Sequence, residues 1–163
     1  MASWWGHKLR RFAGHLRARV SAAERSALEG WLSPAQRHLF DAMHVADRRH
    51  GLDVAAALRD QGISDLEALL AGLLHDAGKG QTGVWPRVAY SLGQAYGSWV
   101  WRVAAAVPGF REPLARLHDH AERSAALAAA AGCSERTVEL IRHQEDPVDP
   151  EFGELLRLAD EAN

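Results

Sequence analysis

The chain has 163 residues and a formal net charge of −2 at neutral pH, which favours one domain and argues against a general nucleic-acid-binding protein. Apolar residues make up 47% and charged residues 25%, as in a globular protein that buries a core. A single cysteine, Cys133, excludes an internal disulfide and a cysteine-based zinc cluster. Nine histidines are more than such a chain usually carries, so they are the first candidates for a functional site.

The first twenty residues contain basic but no acidic side chains, and their apolar residues recur at helical spacing: Trp5, Leu9, Phe12, Leu16 and Val20. This pattern predicts a basic amphipathic helix. We expect it to belong to an N-terminal helical extension, residues 1–32, that packs on a core domain of residues 33–163. Contact between residues 1–20 and an anionic membrane surface is the less favoured interpretation. With no transmembrane stretch and no secretory signal, the sequence favours a cytoplasmic protein.

Helical signals run through the whole sequence, and no sustained period-two alternation predicts a strand. Capping boxes at Ser21 and Ser64, and the starts at Ser33, Ser134 and Asp149, mark helix N-termini. We therefore predict an all-α fold, an orthogonal helical bundle. Its helices lie near residues 4–20, 22–31, 34–43, 47–61, 65–76, 84–95, 98–106, 111–131, 135–144 and 150–161.

His75 and Asp76 end a strongly apolar predicted helix. Neighbouring residues of a helix point about 100° apart, so these two side chains reach one point only near the end of the helix. Gly78 and Gly80 follow, and we expect them to permit a sharp turn and the close approach of a substrate. Lys79 places a positive charge just beyond a candidate metal ligand. Alternatively, it is a solvated lysine that complements the helix dipole.

Four further candidate ligands lie near the ends of other predicted helices: His50, His120, His143 and Asp160. Together with His75 and Asp76, they form a set of four imidazoles and two carboxylates, which suits two divalent ions of the manganese, iron or cobalt type. Such a centre keeps a net positive charge, which attracts phosphate and stabilises an in-line displacement. Taken singly, each of these histidines is explained as well by a place in the core, so the spacing alone does not establish a metal site.

The sequence resembles the H…HD…D signature of the HD superfamily of metal-dependent phosphohydrolases in three segments: HGLDVA at 50–55, LLHDAGK at 73–79 and LAD at 158–160. HAERSA, which begins at His120, and IRH, which ends at His143, are similar to the two histidine steps of the six-ligand variant of that family. The resemblance covers roughly residues 35–163. It implies an HD-type orthogonal bundle and the hydrolysis of a phosphoester or phosphoanhydride bond.

The resemblance also implies the ligand set. His50, His75, Asp76 and Asp160 would hold the first metal, while His120 and His143 would complete the second, with Asp76 bridging. Asp76 and Lys79 are the implied catalytic residues. The cofactors would be two divalent transition metals, iron or manganese, with cobalt, nickel, magnesium and zinc as alternatives.

The expected function is a hydrolase in which a metal-activated water attacks phosphorus in a nucleotide, dinucleotide or other small phosphorylated substrate. His143 is followed by QEDP rather than by the segment typical of cyclic-di-GMP phosphodiesterases, so that activity is not expected. Two alternatives stay open: a di-iron oxygenase with the same ligands and a non-catalytic nucleotide-binding module. No duplex nucleic acid is expected as a partner, and the sequence does not determine the oligomeric state.

Two groups of side chains are candidates for contacting a substrate. The first consists of aromatic residues that could stack a base, although such residues more often belong to a core: Trp85, Tyr96, Trp99 and Trp101. The second consists of arginines that could clamp a phosphate, among them Arg87, Arg123 and Arg142.

Overall fold

A computed structural model describes residues 18–163, and the regular structure in this part of the chain is entirely helical. It contains ten α-helices: α1 Ala22–Ala27, α2 Pro34–Ala42, α3 Val45–Asp60, α4 Leu66–Leu74, α5 Val84–Tyr96, α6 Ser98–Ala105, α7 Arg111–His118, α8 His120–Ala130, α9 Glu135–Arg142 and α10 Gly153–Ala162. Short 3-10 turns span Leu28–Gly30 and Ala77–Lys79. The all-α prediction is confirmed. Within the described residues, none of the helices combines the length and apolarity needed to cross a bilayer.

Several helices begin where the serines predict. The Ser21 hydroxyl accepts a hydrogen bond from the backbone N–H of Glu24 at 3.2 Å, and the Glu24 carboxylate accepts one from the Ser21 N–H at 2.9 Å. Ser33 and Gln36 form the same reciprocal box at the start of α2. The Ser134 hydroxyl caps α9. These bonds satisfy N–H groups that a helix terminus leaves without intrahelical partners.

The start of α4 differs from the prediction by one residue. The cap is Asp65 rather than Ser64, because one Asp65 carboxylate oxygen accepts hydrogen bonds from the N–H groups of both Glu67 and Ala68, at 2.9 and 3.0 Å. A carboxylate near a helix N-terminus is further stabilised by the helix dipole. The predicted capping box at Ser64 is therefore wrong.

The last helix also begins later than predicted, at Gly153 rather than near residue 150. Asp149 stabilises the preceding turn, where its Oδ1 accepts hydrogen bonds from the N–H groups of Glu151 and Phe152, at 2.9 and 2.8 Å. The Asp149 carboxylate also accepts a hydrogen bond from Arg136 at 2.8 Å. The side chain that was expected to cap the helix instead holds the turn before it.

The single helix predicted over 111–131 is two helices. The chain leaves helical geometry at Asp119, where φ is −100° and ψ is 18°, so α7 ends at His118 and α8 begins at His120. His118 is exposed and His120 is buried. The break decides which of the two histidines faces the interior.

The N-terminal prediction falls largely outside the described residues. Residues 4–17 of the helix predicted near residues 4–20 are outside the described part of the chain. Residues 18–20 are described and are not helical. Further along the proposed extension, Leu28 and Leu32 are buried in the main core. The described part of residues 1–32 therefore contributes directly to the core.

Helix α4 is the centre of the bundle. Every residue from Ala68 to Leu74 is buried, as expected for a helix that is apolar on all sides. It packs most extensively against α3 and α9. At the crossing with α3, a Cβ on Gly51 would lie 2.3 Å from the carbonyl oxygen of Leu73, so the two helix backbones are in direct contact there. This contact brings the first half of α3, which carries His50, against the end of α4, which His75 follows.

Helices α5 and α6 form a hairpin that packs on α7. The rings of Tyr90 and Trp101 stack with centroids 5.5 Å apart, and a Cβ on Gly93 would lie 1.8 Å from the Trp101 indole nitrogen. No residue of α6 is buried. The hairpin therefore covers one side of the bundle without joining its core.

Candidate metal centre

Three polar side chains from α3, the end of α4 and α10 meet at one point: His50, His75 and Asp160. One donor atom from each of them lies within 4.8 Å of the donor atoms of the other two. Asp160 Oδ1 is 2.7 Å from His50 Nε2 and 3.5 Å from His75 Nε2. The two imidazole rings meet edge to face, with centroids 5.1 Å apart. Residues separated by up to 110 positions in sequence thus form one compact group of donors.

His75 is held by its own helix. It follows the last residue of α4 and is 1% exposed. Its Nδ1 donates a hydrogen bond to the carbonyl oxygen of Gly72 at 2.9 Å. Because a carbonyl oxygen only accepts, Nδ1 carries a proton, and in the neutral imidazole Nε2 has a lone pair that points into the cluster. The Gln144 amide donates to the His75 carbonyl oxygen at 3.3 Å and secures the backbone there.

Asp76 connects this group to His120. The Asp76 side chain is 2% exposed, and its Oδ1 lies 3.5 Å from His75 Nε2 and 3.9 Å from His120 Nε2. Its second oxygen, Oδ2, accepts a hydrogen bond from the Lys79 ammonium at 2.6 Å. Asp76 therefore places one oxygen between two imidazoles and the other on a cation.

Two buried atoms of the cluster, His75 Nε2 and Asp76 Oδ1, have no hydrogen-bond partner. Leaving a buried polar atom unsatisfied costs about 1–3 kcal/mol, and such atoms in native proteins call for an explanation. A nitrogen lone pair and a carboxylate oxygen 3.5 Å apart are both satisfied by one cation. The unpaired atoms His75 Nε2 and Asp76 Oδ1 therefore fit a metal ion bound between them.

Opposite charges in the cluster keep its buried groups ionised, although burial alone would favour their neutral forms. Burial lowers the pKa of His75, but the carboxylates of Asp76 and Asp160 outweigh it and raise that pKa to about 9. Burial raises the pKa of Asp160, yet the hydrogen bond with His50 and the positive charge of His75 hold it well below its usual range. For Asp76, the cations around it, Lys79 first, outweigh burial and lower the pKa. In the absence of a metal, a proton therefore occupies the position between these groups.

His120 begins α8 and is oriented in the same way as His75. Its Nδ1 donates a hydrogen bond to the carbonyl oxygen of Leu117 at 2.9 Å, so Nε2 faces Asp76 with its lone pair free. Burial and the positive charge of Lys79 lower the pKa of His120. The imidazole is therefore neutral at neutral pH, which is the form that binds a metal.

The glycines after Asp76 have roles that differ from the expected approach of a substrate. A Cβ on Gly78 would lie 2.4 Å from the His120 carbonyl oxygen and 2.7 Å from the backbone nitrogen of Ser124. Gly78 thus allows the turn to lie directly on α8, next to Asp76 and His120. Gly80 has φ of +58°, a conformation that a residue with a Cβ adopts only with strain, as expected for the sharp turn predicted here.

A buried ion pair supports the backbone around Lys79. The Thr82 hydroxyl donates to the Lys79 carbonyl oxygen at 2.6 Å, and Arg87 Nε donates to the Thr82 carbonyl oxygen at 3.0 Å. The two terminal nitrogens of Arg87 donate to the two Asp47 oxygens at 2.7 and 2.6 Å. Arg87, a candidate phosphate clamp in the sequence, is therefore committed to Asp47, a partner that sequence reasoning missed.

The structure pairs His143 with a residue of α9 and brings Glu145, which had no role in the sequence analysis, close to His120. Within the described part of the chain, His143 Nε2 forms an ion pair with Glu139 Oε2 at 3.4 Å, and both side chains are partly exposed. Glu145 Oε1 lies 3.9 Å from His120 Nε2. The signal that could have found Glu145 is its position two residues after a candidate ligand at a helix end. His143 as a metal ligand stays a prediction.

Tyr90 is an aromatic residue whose phenol lies within the influence of these charges. Burial and the neighbouring Glu145 carboxylate raise the pKa of the Tyr90 phenol, while Lys79 acts on it in the opposite direction. The other side of the Trp101 indole meets the ring of His118 at 5.8 Å. The candidate stacking residues Trp85, Tyr96 and Trp99 are all exposed. Tyr90 had no role in the sequence analysis, because nothing local distinguishes it from a core aromatic residue.

No protein-family model, no curated protein and no solved structure matches this chain. The function is therefore argued from the geometry of the centre.

Proposed function

We propose that the protein is a metal-dependent phosphohydrolase with an HD-type orthogonal bundle, acting on a nucleotide, dinucleotide or other small phosphorylated molecule. One observation carries this proposal: His75 Nε2 and Asp76 Oδ1 are buried and unpartnered beside the donor atoms of His50 and Asp160. Two imidazoles and two carboxylates, drawn from three helices, form a donor set suited to manganese or iron.

The chain itself prepares the ligands. His50, His75, Asp76 and Asp160 would hold one ion, and His120 extends the donor set on the far side of Asp76. The carbonyl partners of the His75 and His120 Nδ1 atoms keep both imidazoles in the tautomer that presents Nε2. When bound, divalent ions lower the pKa of a water molecule and stabilise the charge that develops at phosphorus.

In this proposal Lys79 contacts the phosphate of the substrate, and this contact favours a phosphohydrolase. Its ammonium is 2.6 Å from Asp76 Oδ2, and its side chain keeps 23% of its surface exposed. An ammonium carries three donors, so one can remain on Asp76 while another meets a phosphate oxygen. The Arg87–Asp47 pair holds the backbone of this turn and thereby fixes where the ammonium stands.

The test combines metal analysis with a substrate screen. Protein purified without chelators is analysed for metals and assayed with Mn²⁺ or Fe²⁺ against nucleotides, dinucleotides and simple phosphoesters under argon. We expect phosphate release that requires no oxygen. Asp76→Asn should lose both the release and the bound metal while keeping its circular dichroism spectrum, whereas Asp60→Asn, a change at an exposed aspartate, should keep all three.

Two outcomes would replace the proposal. Oxygen consumption with Fe²⁺ and an organic substrate, without phosphate release under argon, would identify an oxygenase that uses the same ligands. Nucleotide binding that survives treatment with a chelator, in a protein without turnover, would identify a binding module.

A further inference from the structure

We propose that Glu145, rather than His143, completes the second metal position on the His120 side of the centre. This inference rests on the proposed function, since it assumes that the cluster holds metal ions. It changes the chemistry of the second position from a nitrogen ligand to an oxygen ligand. It also assigns a role to a residue that the sequence resemblance passes over.

The donor atoms of the centre form a continuous series. Asp160 Oδ1 is 3.5 Å from His75 Nε2, which is 3.5 Å from Asp76 Oδ1. Asp76 Oδ1 is in turn 3.9 Å from His120 Nε2, and His120 Nε2 is 3.9 Å from Glu145 Oε1. Separations of this size are too long for hydrogen bonds but suit donors that share a cation.

The series has two ends, and Asp76 lies between them. At one end, Asp160 and His50 flank His75. At the other end, Glu145 flanks His120. The unpartnered, buried oxygen Asp76 Oδ1 faces both imidazoles and therefore occupies the position of a bridging ligand. A second ion on the His120 side would take Asp76 Oδ1 and His120 Nε2 as ligands, and the exposed Glu145 side chain, whose Oε1 is 3.9 Å from His120 Nε2, would turn toward the ion to complete the set.

The chain after α9 explains why Glu145 reaches the centre. Gln144 is 6% exposed, and its amide donates to the His75 carbonyl oxygen at 3.3 Å. This bond fixes the backbone between His143 and Glu145 against the end of α4. Glu145 follows at the mouth of the centre, where its side chain is 74% exposed and accessible to an ion that arrives from solvent.

His143 is occupied elsewhere. Its Nε2 lies 3.4 Å from Glu139 Oε2, one helical turn earlier on α9. Glu139 also accepts a hydrogen bond from Arg142, which in turn contacts Glu122 on α8 at 3.1 Å. His143 thus belongs to a surface network of charged residues that lies beside the centre.

An oxygen ligand at this position has chemical consequences. Carboxylates suit hard cations such as Mn²⁺ and Mg²⁺, whereas imidazoles also suit zinc, copper and nickel. We therefore expect an oxygen ligand at the second position to reduce the preference for Zn²⁺ over Mn²⁺ that a nitrogen ligand would give.

The experiment titrates the full chain with Mn²⁺ alone and follows free Mn²⁺ by electron paramagnetic resonance, with the metal content of gel-filtered protein as a second readout. The variants are Glu145→Gln and His143→Asn, and the matched control is Asp146→Asn, which removes a charge from the neighbouring exposed residue. We expect wild type, His143→Asn and Asp146→Asn to bind two ions. In Glu145→Gln the first Kd should stay unchanged and the second should rise about tenfold or more.

Each alternative result has one meaning. Loss of the second ion in His143→Asn, with both ions retained in Glu145→Gln, overturns the inference and favours the nitrogen ligand. A wild-type protein that binds a single ion also overturns it, while leaving the proposed function intact. A wild-type protein that binds no Mn²⁺ contradicts the proposed function itself. An unchanged first Kd in each variant shows that the substitution has not unfolded the centre.

Discussion

The backbone N–H of Gly78 donates a hydrogen bond to the Ser124 hydroxyl at 2.8 Å, and this bond ties the turn after Asp76 to helix α8. The residue that precedes the turn bears the carboxylate, and the helix that receives the bond begins with His120. A local contact between a glycine and a serine thus sets the distance between two candidate metal ligands that are 44 positions apart in sequence.

Gly78→Ala tests this relationship. The new Cβ would lie 2.4 Å from the His120 carbonyl oxygen, so the turn must move away from α8. Overpacking of this kind costs about 1–3 kcal/mol, and the movement should also weaken Mn²⁺ binding. Gly30→Ala is the control, because nothing lies within 4 Å of a Cβ at that position. Equal urea midpoints and Mn²⁺ affinities for the two variants would contradict the prediction.

Lys79→Met should separate substrate binding from metal binding. Removal of the ammonium takes away a charge-assisted hydrogen bond to phosphate, worth about 1.5–3 kcal/mol, so kcat/KM should fall about 10- to 100-fold. Mn²⁺ should bind at least as tightly, since a competing cation has left Asp76. Arg157→Gln removes a charge from α10, where Arg157 pairs with Glu154 and Glu161, and it should leave kcat/KM unchanged. An unchanged kcat/KM in Lys79→Met would refute the proposed role of Lys79.

Asp47→Ala should destabilise the whole fold. The side chains of Asp47 and Arg87 are only 5% and 17% exposed, and removal of one member of a buried pair leaves an uncompensated charge at a cost of about 3–5 kcal/mol. Glu154→Ala is the control, because it breaks the exposed pair with Arg157 and should leave the urea midpoint nearly unchanged. Denaturation curves that shift equally in the two variants would show that the Asp47–Arg87 pair contributes no more than a surface contact.

The stability of the metal-free protein should fall with rising pH, and the stabilisation by metal should grow. The folded-state pKa of His75 is about 9 against an ordinary value of 6.5. Its contribution to stability is therefore complete below about pH 6.5 and is lost as the pH rises through 9. The Tm of chelator-treated protein should fall across this interval. A metal replaces the proton, so the Tm gain produced by Mn²⁺ should grow across it, and an equal gain at pH 6.5 and pH 9 would contradict this prediction.

Helical content and most helix starts could be predicted because they depend on residues within one turn. The boxes at Ser21 and Ser33 and the cap at Ser134 satisfy N–H groups three positions away, so their partners are visible in the sequence. The predicted cap of α4 was wrong because two neighbouring residues, Ser64 and Asp65, can both cap a helix. Asp65 replaces Ser64 as the cap of α4 because one carboxylate oxygen accepts two N–H groups where a serine hydroxyl would accept one.

The break at Asp119 could not be predicted in this way. Residues 111–131 continue a helical pattern, and no proline or glycine separates His118 from His120. Packing decides the matter, because α8 must lie against Gly78 while α7 packs on the hairpin of α5 and α6. The buried position of His120 follows from that choice.

The sequence by itself determined which donors are available and where most helices begin, because residue type and capping are local properties. His50, expected near a helix end, is instead the sixth residue of α3. Only the tertiary structure decided which donors meet. His50, His75 and Asp160 converge because Gly51 lets α3 touch the backbone of α4, and Asp76 faces His120 because Gly78 lets the turn lie on α8. Glu145 reaches the same place because Gln144 fastens the chain to the carbonyl of His75. These approaches depend on the packing of surfaces far apart in sequence, where a few tenths of an ångström decide whether two backbones can touch.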